Sequence, residues 1–224
     1  MALLPWVLAL KWINSVEMLA LKKYPSLPIL LEAVRACEVC KPHLPLGCRP
    51  VLRAGADARI LIVGQAPGTR VHASGVPWDD ASGRRLREWM GVDSETFYDE
   101  SQISIIPMGY CYPGRGRGGD LPPRRECAEL WLDQLIDALP NIELTLLIGQ
   151  YAQRHFLKNK RKNTLTQTVL NWRDYGPKYI PLPHPSPRNT HWFQRHEWFE
   201  RDLLPELRAQ IRPLLKAQAH DGEE

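Results

Sequence analysis

Four short apolar runs, spaced by helical patterns and closing on rigid turns or helix starts, constrain this chain's fold more than any other feature. They lie at 58–63 (ARILIV), 103–106, 144–148 and 178–182 (KYIPL). Between and after them the apolar residues recur at helical spacing, over 29–39, 82–90, 122–139 and 151–157, with a long amphipathic helix expected over 192–215. A strand that is followed by a helix before the next strand needs a crossover connection, and crossovers produce parallel pairing. The expected fold is therefore α/β: a three-layer sandwich whose central, mostly parallel sheet has four strands and is covered by helices on both faces.

The 224 residues, 44% of them hydrophobic, suffice for one buried core and leave little for a second full domain. The expected organisation is an N-terminal extension over 1–27, a single domain over 28–215 and a polar tail over 216–224. Residues 2–10 (ALLPWVLAL) are apolar, but Pro5 interrupts them and Lys11 ends them, far short of the roughly 20 residues a membrane span needs. Neither the flanks nor a cleavage site of a secretory signal is present, so a cytoplasmic monomer with no membrane partner is expected. The net charge of +4 permits an anionic partner without demanding one.

Two of the apolar runs end in turns of unusual rigidity. The first runs into Gly64-Gln65-Ala66-Pro67-Gly68, and the fourth into His184-Pro185-Ser186-Pro187-Arg188-Asn189. Ligand sites of open parallel sheets lie at the carboxyl ends of the strands, so both turns fall where a site is expected. In this order and context the pair resembles the two signature motifs of the uracil-DNA glycosylase superfamily, a Gly-x-x-Pro-Gly loop and a His-Pro-Ser-Pro loop. The resemblance covers about residues 30–212.

Cysteine usage points the same way. An odd count, Cys37, Cys40, Cys48, Cys111 and Cys127, argues against a secreted disulfide framework. Cys37-x-x-Cys40 alone could be a redox pair, half of a zinc site or half of an iron-sulfur site. Cys111 and Cys127 bracket a loop rich in glycine, arginine and proline, and the spacing resembles the [4Fe-4S] site of the family 4 and family 5 glycosylases. The resemblance thus implies a [4Fe-4S] cluster on Cys37, Cys40, Cys111 and Cys127 as a structural staple. Zinc in the same four ligands and four unliganded buried thiols stay open. Cys48 is left over.

A glycosylase must hold an extruded base against a flat ring and place hydrogen-bond donors where negative charge develops on it. What the resemblance implies is a catalytic pair and a base pocket. His184 matches the histidine that donates to the departing pyrimidine, Trp78 falls on the stacking phenylalanine, and Gly64, Ala66, Pro67 and Gly68 form the pocket loop. In that loop family 1 has an Asp where this chain has Ala66, and family 4 has a Glu where it has Gln65. Gln65 is accordingly expected to orient the water, with His72, Asp79 and Asp80 as further candidates. Family 4 reads the uracil edge with an Asn where this chain has Pro107, which offers no side-chain donor or acceptor.

The partner implied is DNA containing a damaged base. Arg188 stands at the wedge position, Ser186 at a phosphate contact and Asn189 beside them, with Arg115, Arg117 and the run Arg154 to Lys162 as further basic candidates. The activity implied is that of a monofunctional DNA glycosylase hydrolysing the N-glycosidic bond of uracil or a related deaminated base. The alternative is a non-catalytic DNA-damage-binding protein on a glycosylase fold, for which the missing carboxylate and Asn speak.

Overall fold

A computed structural model describes residues 22–216. Most of the expected extension over 1–27, and all of the tail except Lys216, lie outside the described residues. Helix α1 (Leu27–Arg35) opens the fold one residue before the expected boundary, with Ser26 at its cap and Pro28 in its first turn. Strand β1 (Ile60–Val63) leads through α2 (Thr69–Ser74), α3 (Ala81–Met90) and α4 (Ser94–Tyr98) to β2 (Ile103–Ile105). A small hairpin, β3 (Arg115–Gly116) and β4 (Gly119–Asp120), precedes α5, a continuous helical stretch from Arg125–Cys127 through a π segment to Asp133–Asp137. Then come β5 (Leu144–Ile148), α6 (Gly149–Leu157), α7 (Leu165–Leu170), β6 (Tyr179–Leu182), α8 (Thr190–Arg195) and α9, which runs through Phe199–Leu203 and Leu204–Ile211.

The four main strands form one parallel sheet in the order β2-β1-β5-β6. All of β1 and β5 is buried, because helices cover both faces and side chains of alternate residues enter two different cores. Leu61, Val63 and Leu147 pack with α1, α5 and α6. Ile60, Ile62, Leu146 and Ile180 pack with α3, α7 and α9. The free edge of β2 is closed by an antiparallel bridge from Arg53 to Ile105. Among the described residues no helix is long and apolar enough to cross a membrane.

One local expectation is corrected, and two short elements are added. The helix expected over 192–215 is broken at His196, whose backbone (φ −128°, ψ 59°) is not helical. The aromatic surroundings account for the break: the His196 ring stacks on Trp192 at 4.5 Å, and Trp192, Trp198 and Phe199 meet edge to face. The Gly/Pro-rich stretch after β1 contains α2, and the glycine-rich loop over 113–119 forms most of the β3–β4 hairpin.

Helix α3 starts where Asp80 accepts a hydrogen bond from the Gly83 amide at 2.9 Å. Its first turn lies so close to the preceding loop that a Cβ on Gly83 would stand 1.7 Å from the Trp78 carbonyl oxygen. Alanine in place of glycine within a helix normally stabilises by about 0.4–1 kcal/mol through the unfolded state. Here overpacking reverses the sign: Gly83→Ala should cost about 1–3 kcal/mol or more in urea denaturation. A neutral or stabilising result would contradict this close approach.

Candidate active site

The carboxyl edge of the sheet carries a cavity of about 350 Å³. Its lining includes Gly64, Gln65, Ala66, Pro67 and Gly68 from the loop after β1, Trp78 and Asp80 before α3, and His184, Ser186 and Arg188 after β6. Pro107, Tyr112, Arg115 and Asp120 close it from the segment after β2. The two turns singled out in the sequence thus meet across one cavity, although β5 separates their strands.

Each wall is held by identifiable bonds. The Gly64 and Gln65 carbonyls accept from the amides of Met108 and Gly109, both at 2.9 Å, extending the β1–β2 pairing to the cavity floor. At the other wall the buried Gln153 amide donates to the carbonyls of Leu147 and Leu182, tying β5 to β6 just before Pro183-His184. Asn189 Nδ2 donates to the His184 carbonyl at 2.8 Å, and Ser186 Oγ accepts from the Arg188 amide. Arg85, on α3, reaches 3.2 Å from the Ser186 carbonyl while its guanidinium lies over Phe193. Arg85 and Gln153 had no motif to reveal them, since they reach the backbone carbonyls of Ser186 and Leu182, far along the chain.

Trp78 and His184 face one another with ring centres 5.6 Å apart and planes tilted by 36°. Trp78 has a left-handed backbone (φ 59°), and its ring lies close to Gly64, where a Cβ would stand 2.9 Å from the indole. Burial is the main influence on His184 and holds its pKa below the ordinary imidazole range, while the carboxylates of Asp80 and Asp120 pull the other way. A neutral imidazole results, able to donate one hydrogen bond into the cavity without carrying charge.

The other candidates separate. Gln65 lines the cavity, but its Nε2 donates to the Leu121 carbonyl at 3.1 Å. Asp80 lines it and caps α3, whereas Asp79 and His72 are not part of the lining. His72 instead lies beside Tyr112, its Nδ1 buried without a partner. Asn189 stands behind the lining. Arg188 and Arg115 are exposed at the rim, joined by Arg70, which the motif reading passed over. The basic run over 154–162 stands elsewhere: Lys162 pairs with Asp174 and the Lys160 carbonyl accepts from Tyr175, both just before β6. That places the end of the run toward the amino ends of the strands, so it does not join the other basic candidates for DNA contact at the cavity.

The cysteines divide between two neighbouring apolar clusters. Cys40 and Cys111 pack together with Leu44, Cys48 lies against them, and Cys127 joins the core beneath. Cys127 donates to Cys40, which raises the pKa of the first thiol and lowers that of the second. Burial pushes Cys111 up to about 12, against a backbone hydrogen bond from Arg49. Among the described residues no three or more His, Cys, Asp or Glu side chains are gathered closely enough to hold a metal ion. In kind, Cys37, Cys40, Cys111 and Cys127 nonetheless suit a thiolate-bound cluster. Three are buried, backbone donors from Arg49 and Tyr110 favour the thiolate form of Cys111 and Cys127, and a bound cation would offset the cost of ionising them.

A parallel α/β sheet with a ring-walled, arginine-rimmed cavity at its carboxyl edge defines an α/β protein built to take a flat, polar ligand. Residues 53–208 match the Uracil DNA glycosylase superfamily, and the chain belongs to that family. It is similar to the type-4 uracil-DNA glycosylase of Thermotoga maritima, 28% identical over 160 residues that span 70% of this chain and 80% of that one. The type-4 enzymes of Saccharolobus solfataricus (23% identity; 72% and 76% covered) and Sulfurisphaera tokodaii (26%; 72% and 74%) are similar over the same extent.

The depressed His184 pKa makes stability pH-dependent. The unfolded chain takes up the proton first as pH falls through about 6.5, so the His184 contribution to stability is lost from there down to the folded pKa. Between about pH 7.5 and about 5.5, wild-type protein should lose more urea-denaturation stability than His184→Gln, which has no proton to bind there. Equal losses would show that His184 is not held neutral by burial.

Proposed function

We propose that the protein is a monofunctional DNA glycosylase that hydrolyses the N-glycosidic bond of uracil or a related deaminated base, the first step of base excision repair. The observation that carries this reading is the neutral His184 set opposite the Trp78 ring in a cavity at the carboxyl edge of the sheet.

In this reading the base leaves the duplex stack and enters the cavity with one face on the Trp78 indole. The amides of the 64–68 loop and the His184 ring N–H supply donors to its polar edge. As the C1′–N bond breaks, its electron pair passes to the base and the sugar takes on oxocarbenium character. The His184 donor is most valuable at that moment, because the developing anion is met by a group already in place. Pro107 offers no side-chain hydrogen bond to the base edge, which favours acceptance of more than one deaminated base. Outside the cavity, Arg188 fills the gap in the duplex, Ser186 and Asn189 meet the adjoining phosphate, and Arg70, Arg115 and Arg117 meet its neighbours. Gln65 contributes its unbonded carbonyl oxygen as an acceptor for the hydrolytic water.

Cys37, Cys40, Cys111 and Cys127 would hold a [4Fe-4S] cluster. Bound there, the cluster is a structural tie between the end of α1, the segment after β2 and the start of α5, remote from the bond that breaks. The protein acts as a monomer on DNA.

Purified protein incubated with oligonucleotides containing uracil, hypoxanthine or xanthine should produce strand breaks after alkali treatment. His184→Ala should slow single-turnover cleavage of the uracil substrate by about a hundredfold or more, the scale for losing an anion-stabilising donor. Tight binding without breaks would instead select the damage-binding alternative. Anaerobically purified protein should be brown, with iron and acid-labile sulfide in equal amounts, and Cys127→Ala should lose both. Iron-free protein, or zinc in its place, would remove the cluster.

A further inference from the structure

Glycoside hydrolysis needs an acceptor for the proton of the attacking water, and the loop over 64–68 has no acid to offer. Of the residues lining the cavity, only Asp80 and Asp120 carry carboxylates. Asp80 is already engaged, since its Oδ1 accepts the Gly83 amide and caps α3. Asp120 is different. It sits on β4, paired with Arg115 across the hairpin, is exposed, and its carboxylate forms no side-chain hydrogen bond or ion pair among the described residues. Its Oδ2 hangs over the first motif, 3.5 Å from the point a Cβ on Gly68 would occupy, and its charge reaches His184.

The hairpin carrying Asp120 is tied to this position. Leu121 donates its amide to the Gly114 carbonyl at 2.9 Å, closing the hairpin. The Leu121 carbonyl in turn accepts from Gln65 Nε2 at 3.1 Å. The glutamine that occupies the place of an acid in related loops therefore fastens the next residue after Asp120 to the base of the cavity. A glutamate at 65 could not donate that bond.

We infer that Asp120 is the catalytic carboxylate of this protein, brought to the cavity by the β3–β4 hairpin and held there by Gln65. This rests on the glycosylase reading above. The step balances without any further reagent. A water oxygen forms a bond to C1′ as the C1′–N bond breaks, and the electron pair of that bond leaves with the base beside His184. The water proton passes to the Asp120 carboxylate, which releases it to the departed base or to solvent.

The test uses single-turnover cleavage of a uracil-containing oligonucleotide by wild-type protein, Asp120→Asn and Asp120→Ala. Affinity is measured in parallel on an oligonucleotide carrying 2′-fluorinated deoxyuridine, which resists hydrolysis. Both variants should cleave about a hundredfold or more slowly, the scale of a lost general base, with affinity and thermal unfolding unchanged. Near-wild-type cleavage by Asp120→Asn, or an affinity loss that accounts for the slower rate, would each overturn the assignment while leaving the glycosylase reading intact. A wild type inert toward uracil, hypoxanthine and xanthine would overturn both.

Discussion

Everything at the carboxyl edge depends on how closely the Trp78 loop approaches two glycines. The indole lies on Gly64 and the Trp78 carbonyl on Gly83, at separations that leave no room for a side chain at either position. A left-handed backbone at a bulky residue is costly and persists only when its surroundings fix it. They do so here: Tyr98 donates to the Pro77 carbonyl at 3.0 Å on one side, and Asp80 caps α3 on the other. With Trp78 fixed, β1, α3 and the turn after β6 are brought into one cavity, because His184 meets the indole and Arg85 on α3 grips the carbonyls of Pro185 and Ser186.

The strands were legible because a strand buried on both faces reads as an unbroken apolar run, and each run at 58–63, 103–106, 144–148 and 178–182 contains its strand within two residues. The two motif turns were legible because proline and glycine fix backbone shape locally. What could not be read was what joins distant segments. Arg85, Gln153 and Gln65 all act on carbonyls of residues far along the chain, and a carbonyl has no sequence signature. Asp120 stayed hidden among glycines and arginines that read as a basic loop, although its hairpin returns to the first motif. The C-terminal helix showed the opposite failure: its periodicity was real, but ring packing around Trp192 and His196 outweighed helix continuity.

Charge is distributed around the cavity in a pattern suited to its chemistry. Arginines 70, 115 and 188 stand at the rim, where solvent weakens their mutual repulsion and a polyanion can reach them. The carboxylates of Asp80 and Asp120 line the cavity and act electrostatically on a histidine kept neutral by burial. In the proposed mechanism such a layout would favour a cationic sugar between a carboxylate and a departing base anion. Catalysis then comes from groups already oriented before the bond stretches, which costs no reorganisation at the transition state. Cys111 ends the segment 107–111, whose Met108 and Gly109 amides bond the Gly64 and Gln65 carbonyls, so whatever the cysteines bind is connected to this site through that segment.

The central claim is that the cavity is complementary to a sugar cation paired with a base anion. The most direct measurement compares binding of two duplexes, one with a neutral abasic analogue and one with a positively charged aza-sugar at the same position, each with free uracil present. Complementarity to the transition state predicts that the charged analogue binds at least about a hundredfold more tightly. Equal affinity for the two, with or without uracil, would contradict the account.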